Sequence, residues 1–175
     1  MSLFTRLFAK AGSASGETET VRRIAARLER LAPDRARHLA AFAYVLARVA
    51  NADLRITDTE TDRMHALVRE NAGLSEEEAA LAVEIAKSQA RLLGGTENYV
   101  VTREFREVST REERVRLLEC LYAVAAADGR IDGAESTEIA KIAEELGFLR
   151  EEANALRAAW RDKLSELQGL SKATT

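Results

Sequence analysis

The sequence is 175 residues long, which is enough for one compact domain with a sizeable core. Hydrophobic residues make up 46% of it and aromatic residues only 5%, so aliphatic side chains must build most of that core. The net charge of −3 favours neither a nucleic-acid-binding protein nor an acidic tail. A single cysteine excludes an intramolecular disulfide and suits a cytoplasmic protein, and no stretch reaches the roughly 18 continuous apolar residues of a membrane span.

Residues 1–16 are predicted to be a tail outside the domain. Leu3, Phe4, Leu7 and Phe8 recur at the spacing of one helical face, which would suit a short segment that contacts a membrane or a partner. Because so short a segment cannot hold a helix alone in water, a flexible tail is the simpler interpretation. The sequence leaves the flexible tail, the docked helix and the peripheral membrane anchor open, and it predicts no secretory signal.

The domain is predicted to run from residue 17 to 168 as a single all-α bundle of seven to eight helices. Frequent Ala, Leu, Glu and Arg favour helix almost everywhere, and Ser or Thr followed three residues later by Glu predicts three helix starts. The stretch 97–108 has strand-like composition, but a lone strand would lack a partner, so we expect a short helix there. Residues 169–175 are predicted to be a disordered tail. The helices are expected at about 19–31, 35–51, 58–73, 76–93, 97–108, 111–127, 133–146 and 150–167.

One helix–turn–helix hairpin occurs twice, 75 residues apart. At this offset Asp53 aligns with Asp128 and Glu60 aligns with Glu135. Each hairpin is followed by a third amphipathic helix, so the repeated unit has three helices. Because each unit has an apolar stripe that it cannot bury alone, the two are predicted to pack about a pseudo-twofold axis. The units are repeat A at about 35–93 and repeat B at about 111–168, with a connector at 94–110.

The turn from Asp128 to Glu135 resembles the second half of a calcium-binding EF-hand loop, in which an acid and a glycine precede an inward isoleucine and a glutamate closes the ring. The places of the first ligands hold Val124 and Ala126, which offer no side-chain oxygen, so a complete EF-hand is not expected. If the pseudo-twofold brings both turns together, their carboxylates would suit Ca²⁺ or Mg²⁺. The candidate metal ligands are Asp53, Glu60, Asp128 and Glu135, with Asp132 as a further candidate.

A second interpretation gives these acids purely local roles. Asp128 would hydrogen-bond the turn, and Gly129 would adopt the left-handed backbone conformation. Asp132 would cap the next helix, and Glu135 would favour its N-terminal dipole. Asp128 follows the apolar run 123–127 closely enough to be expected partly buried, in which case it would need a cationic partner or a bound cation. Both interpretations stay open.

No catalytic constellation is found in the sequence. Cys120 stands among leucines and is predicted to be a core thiol. His38 and His65 have no further Cys or His at ligand spacing, so no zinc site is expected. No Gly-rich phosphate loop and no nucleophile elbow occurs. We therefore expect a non-enzymatic protein, and a metal-dependent hydrolase that uses the same carboxylates is the least favoured alternative.

Residues 123–147, AVAAADGRIDGAESTEIAKIAEELG, resemble the signature of the TerB-like domain of tellurite-resistance proteins: an Ala-rich helix, A-D-G-x-I and a glutamate in the next helix. The first copy, ARVANADLRITDTETDRM, is similar but has Leu54 in place of the glycine. The opening MSLFTRLF is also similar to that of such proteins. The resemblance covers about residues 35–165.

The resemblance implies an all-helical bundle with internal duplication and an acidic site for a divalent cation. It also implies association with stress-response complexes near the inner face of the bacterial membrane. The first hypothesis is thus a cytoplasmic, non-enzymatic TerB-like domain that binds a divalent cation or a protein partner through its acidic hairpins. The alternative is a scaffold or adaptor whose acids are purely structural and whose N-terminal segment contacts the membrane. The residues that match the family pattern are Asp128, Gly129 and Glu135 in the second copy, and Asp53 and Glu60 in the first.

Overall fold

A computed structural model describes residues 15–50, 58–90, 98–165 and 167, and within these ranges the chain forms eight α-helices and one short 3-10 turn. They contain no strand, only an isolated bridge between Ile131 and Leu164. The predicted all-α class is therefore confirmed, including a helix where the sequence also resembled a strand. The helices are α1 (Ser15–Leu28), α2 (Pro33–Ala50), α3 (Asp58–Asn71), α4 (Glu76–Ala90), α5 (Asn98–Val108), α6 (Arg111–Ala125), α7 (Gly133–Glu145) and α8 (Arg150–Ala158).

Helix α2 is the centre of the bundle. Twelve of its 18 residues are buried, and it contacts α4, α5, α6 and α7. From Leu39 onward its sequence is apolar on nearly every face, which is typical of a helix that is surrounded by others. Phe42, Tyr44 and Leu46 are fully buried, while the alanines between them let neighbouring helices approach closely. The core is thus built around one almost wholly buried helix.

Helix α6 is the second core helix. The helices of the two predicted hairpins pack against one another around α6 and α2. Helix α2 contacts α6 directly, while α3 packs on α6 and α7 packs on α2. The units also differ, because α4 has 15 residues and α8 has nine. Residues 51–57, where the sequence predicts the first turn, lie outside the described residues. The pseudo-twofold relation and the domain boundaries therefore stay predictions.

The last helix is shorter than predicted, because α8 ends at Ala158 and not at residue 167. Turns follow at 159–163, and the chain then lies beside the second hairpin turn. The N–H of Ile131 donates to the carbonyl of Lys163 (2.8 Å), and the N–H of Ser165 donates to the carbonyl of Ile131 (2.9 Å). Since Ile131 is fully buried, its backbone polar groups need partners within the protein. A continued α8 could not provide them.

The N-terminal tail prediction cannot be compared with the fold, because Leu3, Phe4, Leu7 and Phe8 lie outside the described residues. The first helix in the described ranges is Ser15–Leu28. None of the helices in the described ranges combines the length and the apolar character that crossing a lipid bilayer requires.

Candidate functional site at the acidic turn

The acidic turn connects α6 to α7. After Ala125 the backbone tightens into a 3-10 turn, Ala126–Asp128, which is followed by Gly129 with φ of 93°. A Cβ at Gly129 would meet nothing within 4 Å, so the left-handed backbone conformation, and not a lack of space, favours glycine here. Ile131 then inserts into the core with no exposed surface. The turn is therefore held by one left-handed residue and one buried side chain, as the sequence predicted.

Asp128 lies on the surface of this turn, and its predicted partial burial is wrong. The buried face of α6 ends at Ala125 because the 3-10 turn carries the following residues outward. The Asp128 carboxylate accepts a hydrogen bond at Oδ1 from the N–H of Arg130 (3.0 Å). This local contact is of the kind by which Asp favours turns. An exposed carboxylate does not require a buried cationic partner.

Asp132 and Glu135 form a reciprocal capping box at the start of α7. The Asp132 carboxylate accepts from the N–H of Glu135 (2.8 Å), and the Glu135 carboxylate accepts from the N–H of Asp132 (2.9 Å). The predicted cap at Asp132 is confirmed. The return contact from Glu135 was missed, although an acid followed three residues later by Glu is its sequence signal.

The other predicted ligands, Asp53 and Glu60, lie in and just after the predicted first turn. Asp53 and the side chain of Glu60 lie outside the described residues, and Glu60 itself is in the first turn of α3. The structure thus brings Asp128, Asp132 and Glu135 onto one turn, and their convergence with the first turn stays a prediction. Within the described part of the chain, no group of three or more His, Cys, Asp or Glu side chains is arranged to hold a metal ion.

A buried cation that the sequence did not predict lies against α7, the helix that follows this turn. The Arg48 side chain is only 4% exposed. Its Nε and Nη2 donate to Glu138 (2.8 and 2.6 Å), and its Nη1 donates to Glu145 (2.6 Å) and to Thr102 Oγ1 (2.5 Å). Burial opposes the charge on the guanidinium, but the hydrogen bonds to both glutamates outweigh it and raise the pKa of Arg48. An arginine within the otherwise apolar run 39–50 of α2 was the available signal.

A second charged cluster joins the N-terminal ends of α2 and α4. Arg35 donates to both carboxylate oxygens of Glu78 (2.6 and 2.8 Å). Glu78 also forms a capping box with Ser75, as the sequence predicted. The hydrogen bond from Arg35 is the largest cause that lowers the pKa of Glu78 to about 2; burial opposes it, and contacts with Ser75 reinforce it. This pair fastens α4 to the central helix.

The other residues considered as site candidates are Cys120, His38 and His65, and each lies in an ordinary structural environment. Cys120 is fully buried, and burial raises the pKa of its thiol to about 12, so the reactive thiolate is disfavoured. His38 is buried against Phe105, and burial lowers the pKa of its imidazole, with Glu113 opposing that effect. His65 lies on α3, with Nε2 at 3.5 Å from the carbonyl of Glu76.

Comparisons with known proteins agree with the resemblance seen in the sequence. No curated protein and no solved structure matched the chain. A family model described as "Tellurite resistance protein TerB" matched residues 38–158. The matched range covers well over half of the chain and runs from the first turns of α2 to the end of α8, with the acidic turn inside it. The chain therefore belongs to the TerB family of tellurite resistance proteins.

Proposed function

We propose that this TerB-family domain is not an enzyme and that it binds a divalent cation, Ca²⁺ or Mg²⁺, through carboxylates of its two hairpin turns. The proposed ligands are Asp128 and Glu135 of the second turn with Asp53 and Glu60 of the first. Asp132 is a further candidate. Carboxylate oxygens are the ligands that these hard cations take in proteins.

The observation that carries the proposal is the ion pair between Arg48 and Glu138. Arg48 lies two residues before the end of α2, after which the first turn is predicted, and Glu138 lies one helical turn after Glu135. The pair therefore holds the C-terminal end of α2, which leads into the predicted first turn, against α7, which follows the second turn. Asp53 is three residues beyond Ala50, and so short a segment reaches at most about 10 Å.

The chemistry of the second turn supports cation binding as well. Asp128 is exposed, and a carboxylate that accepts one backbone hydrogen bond keeps further lone pairs for a cation. The Asp132–Glu135 capping box holds the start of α7 in one geometry, which lowers the conformational cost of assembling a site.

Calorimetric titration of Ca²⁺ and Mg²⁺ into metal-stripped protein tests the proposal. We expect saturable binding by the wild type and a loss of at least tenfold in affinity in the variant Asp128→Asn/Glu135→Gln. The amide oxygens of these variants can still accept the hydrogen bonds from Arg130 and Asp132, so the turn keeps its structure while it loses charge. The variant Asp53→Asn/Glu60→Gln tests the first turn in the same way.

The charge-matched control is Glu29→Gln/Glu70→Gln, in which two exposed acids outside the turns are neutralised. This control should bind as the wild type does. Absence of binding by the wild type at millimolar cation, or equal losses in the control and the turn variants, would contradict the proposal. Loss in the second-turn variant alone would confine the site to the second turn.

A second candidate function is an adaptor domain that uses its acids structurally. The capping box and the Asp128–Arg130 contact favour it, because they give each described acid of the turn a local role. In this role the domain would join partner proteins of a stress-response complex in the cytoplasm. The apolar residues Leu3, Phe4, Leu7 and Phe8 would then contact the inner face of the membrane. Unaltered melting temperature in the presence of either cation would favour this candidate.

A further inference from the structure

A groove of about 710 Å³ lies between α7 and α8. Phe148 and Ala153 contribute apolar surface to it, and Leu149, which also lines it, is 70% exposed. Its two helices are held together in part by Arg157, whose Nε donates to the Oγ of the buried Ser136 (3.1 Å). The groove is therefore a defined concave surface with an exposed apolar side chain.

The charge of the groove is opposite to that of the whole protein. Three cationic residues line it, Lys141, Arg150 and Arg157, against the single acid Glu144, whereas the net charge of the chain is −3. Lys141 and Arg150 form no ion pair with any residue in the described part of the chain. The groove consequently presents two cations that are not held in ion pairs with described residues, beside a single acid in its lining.

We propose that the groove between α7 and α8 binds an acidic peptide segment of a partner protein, one that carries an apolar side chain. The carboxylates of such a segment would meet Lys141 and Arg150, and its apolar side chain would pack against Leu149 and Phe148. The volume lies within the range of about 300–1,000 Å³ that is typical of binding pockets and exceeds what a single ion needs. A peptide can enter a concave groove, whereas a flat lipid surface would contact only the rim of the groove. The shape therefore favours a peptide over a membrane.

Fluorescence anisotropy with a labelled short peptide of Glu and Asp around one central Phe tests the proposal on the full chain. We expect saturable binding that weakens as salt is added, because the attraction is electrostatic. Lys141→Ala/Arg150→Ala should weaken it by about tenfold or more. Leu149→Ser should weaken binding of the acidic peptide that contains Phe. It should not change the binding of a peptide in which Ala replaces Phe. Circular dichroism checks that each variant remains folded.

The matched control is Arg30→Ala/Arg63→Ala, which removes two exposed cations from other parts of the bundle and should bind the peptide as the wild type does. Three results would overturn the proposal: no binding by the wild type, equal weakening in the control, or equal binding of a peptide with Gln and Asn in place of the acids. Binding of anionic lipid vesicles that depends on Lys141 and Arg150, without binding of the peptide, would also overturn it. The proposal is independent of cation binding at the turns, since it involves none of their acids.

Discussion

Arg48 shows how one residue can join three helices of this bundle. Its guanidinium belongs to α2, and its partners lie on α5 and α7. A buried cation loses its hydration, so it is retained only when several hydrogen bonds compensate. Here two carboxylates and one hydroxyl do so, which makes the cluster sensitive to the loss of any member.

Replacing Arg48 with Met should destabilise the fold. We expect the free energy of unfolding to fall by about 3 kcal/mol, because Glu138 and Glu145 would be left as partly buried acids without their cation. Urea unfolding followed by circular dichroism measures the change. Adding Glu138→Gln and Glu145→Gln to the Met variant should restore part of the loss, whereas Arg63→Met on the exposed face of α3 should cost little. An Arg48→Met variant as stable as Arg63→Met would contradict this prediction.

Glu78 should make stability depend on acid pH. Its pKa in the folded protein is about 2 against a usual value of 4.5, chiefly because Arg35 hydrogen-bonds the ionised form. Below pH 4.5 the unfolded chain binds a proton that the folded chain does not. The stability from this group is therefore complete at neutral pH, where it is at most about 3 kcal/mol, and is lost as pH falls from about 4.5 to about 2.

The measurement is the free energy of unfolding of the wild type and Glu78→Gln across that pH range. The variant should be less stable at neutral pH, and the difference should shrink as the wild-type carboxylate becomes protonated. Glu77→Gln, which neutralises an exposed neighbour on the same helix, is the control. A difference between wild type and Glu78→Gln that stays constant with pH would show that the charge of Glu78 does not matter.

At the scale of elements, the second turn depends on a segment far along the chain. Ile131 is paired through both backbone groups with residues 163–165, and Leu164 packs beside it with 2% of its surface exposed. The turn is thus held by the buried side chain of Ile131 and by the hydrogen bonds of its backbone to the segment after α8.

Leu164→Ala should therefore loosen the acidic turn as well as the core. We expect a loss of about 2–4 kcal/mol in the free energy of unfolding, as for other buried leucines. Amide hydrogen exchange should quicken at Ile131 and Ser165, whose N–H groups form the bridge. Leu149→Ala is the matched control, because Leu149 is 70% exposed, and it should alter neither quantity. Unchanged exchange at Ile131 would mean that the bridge does not depend on Leu164.

Local signals predicted the elements well, and nonlocal contacts explain the differences. The capping boxes at Ser75 and Thr110 are confirmed, because such a motif is complete within four residues. The predicted end of α8 was wrong because the actual end is set by pairing with Ile131, which is distant in sequence. The predicted partial burial of Asp128 was wrong because its exposure depends on where α6 tightens into a 3-10 turn.

At the scale of the whole molecule, the described helices form one bundle around α2 and α6, in which α3 packs on α6 and α7 packs on α2. Apolar periodicity predicted the helices, and the TerB family was recognisable from the A-D-G-x-I turn, whereas the duplicated hairpin stays a prediction. Apolar periodicity does not specify which charged residues contact each other between helices. The ion pairs of Arg48 with Glu138 and Glu145 were therefore not predicted. The groove of α7 and α8 was likewise not predictable, because it arises from the angle between two helices.

The bridge between Ile131 and the segment after α8 also sets an order of events during protein synthesis. Ile131 leaves the ribosome well before Lys163 and Ser165, and until these have emerged its N–H and carbonyl have only water as partners. A nascent chain that reaches only residue 162 would carry Asp128, Asp132 and Glu135 on an unfinished loop. The two backbone hydrogen bonds that close the second turn can therefore form only after the segment 163–165 has left the ribosome.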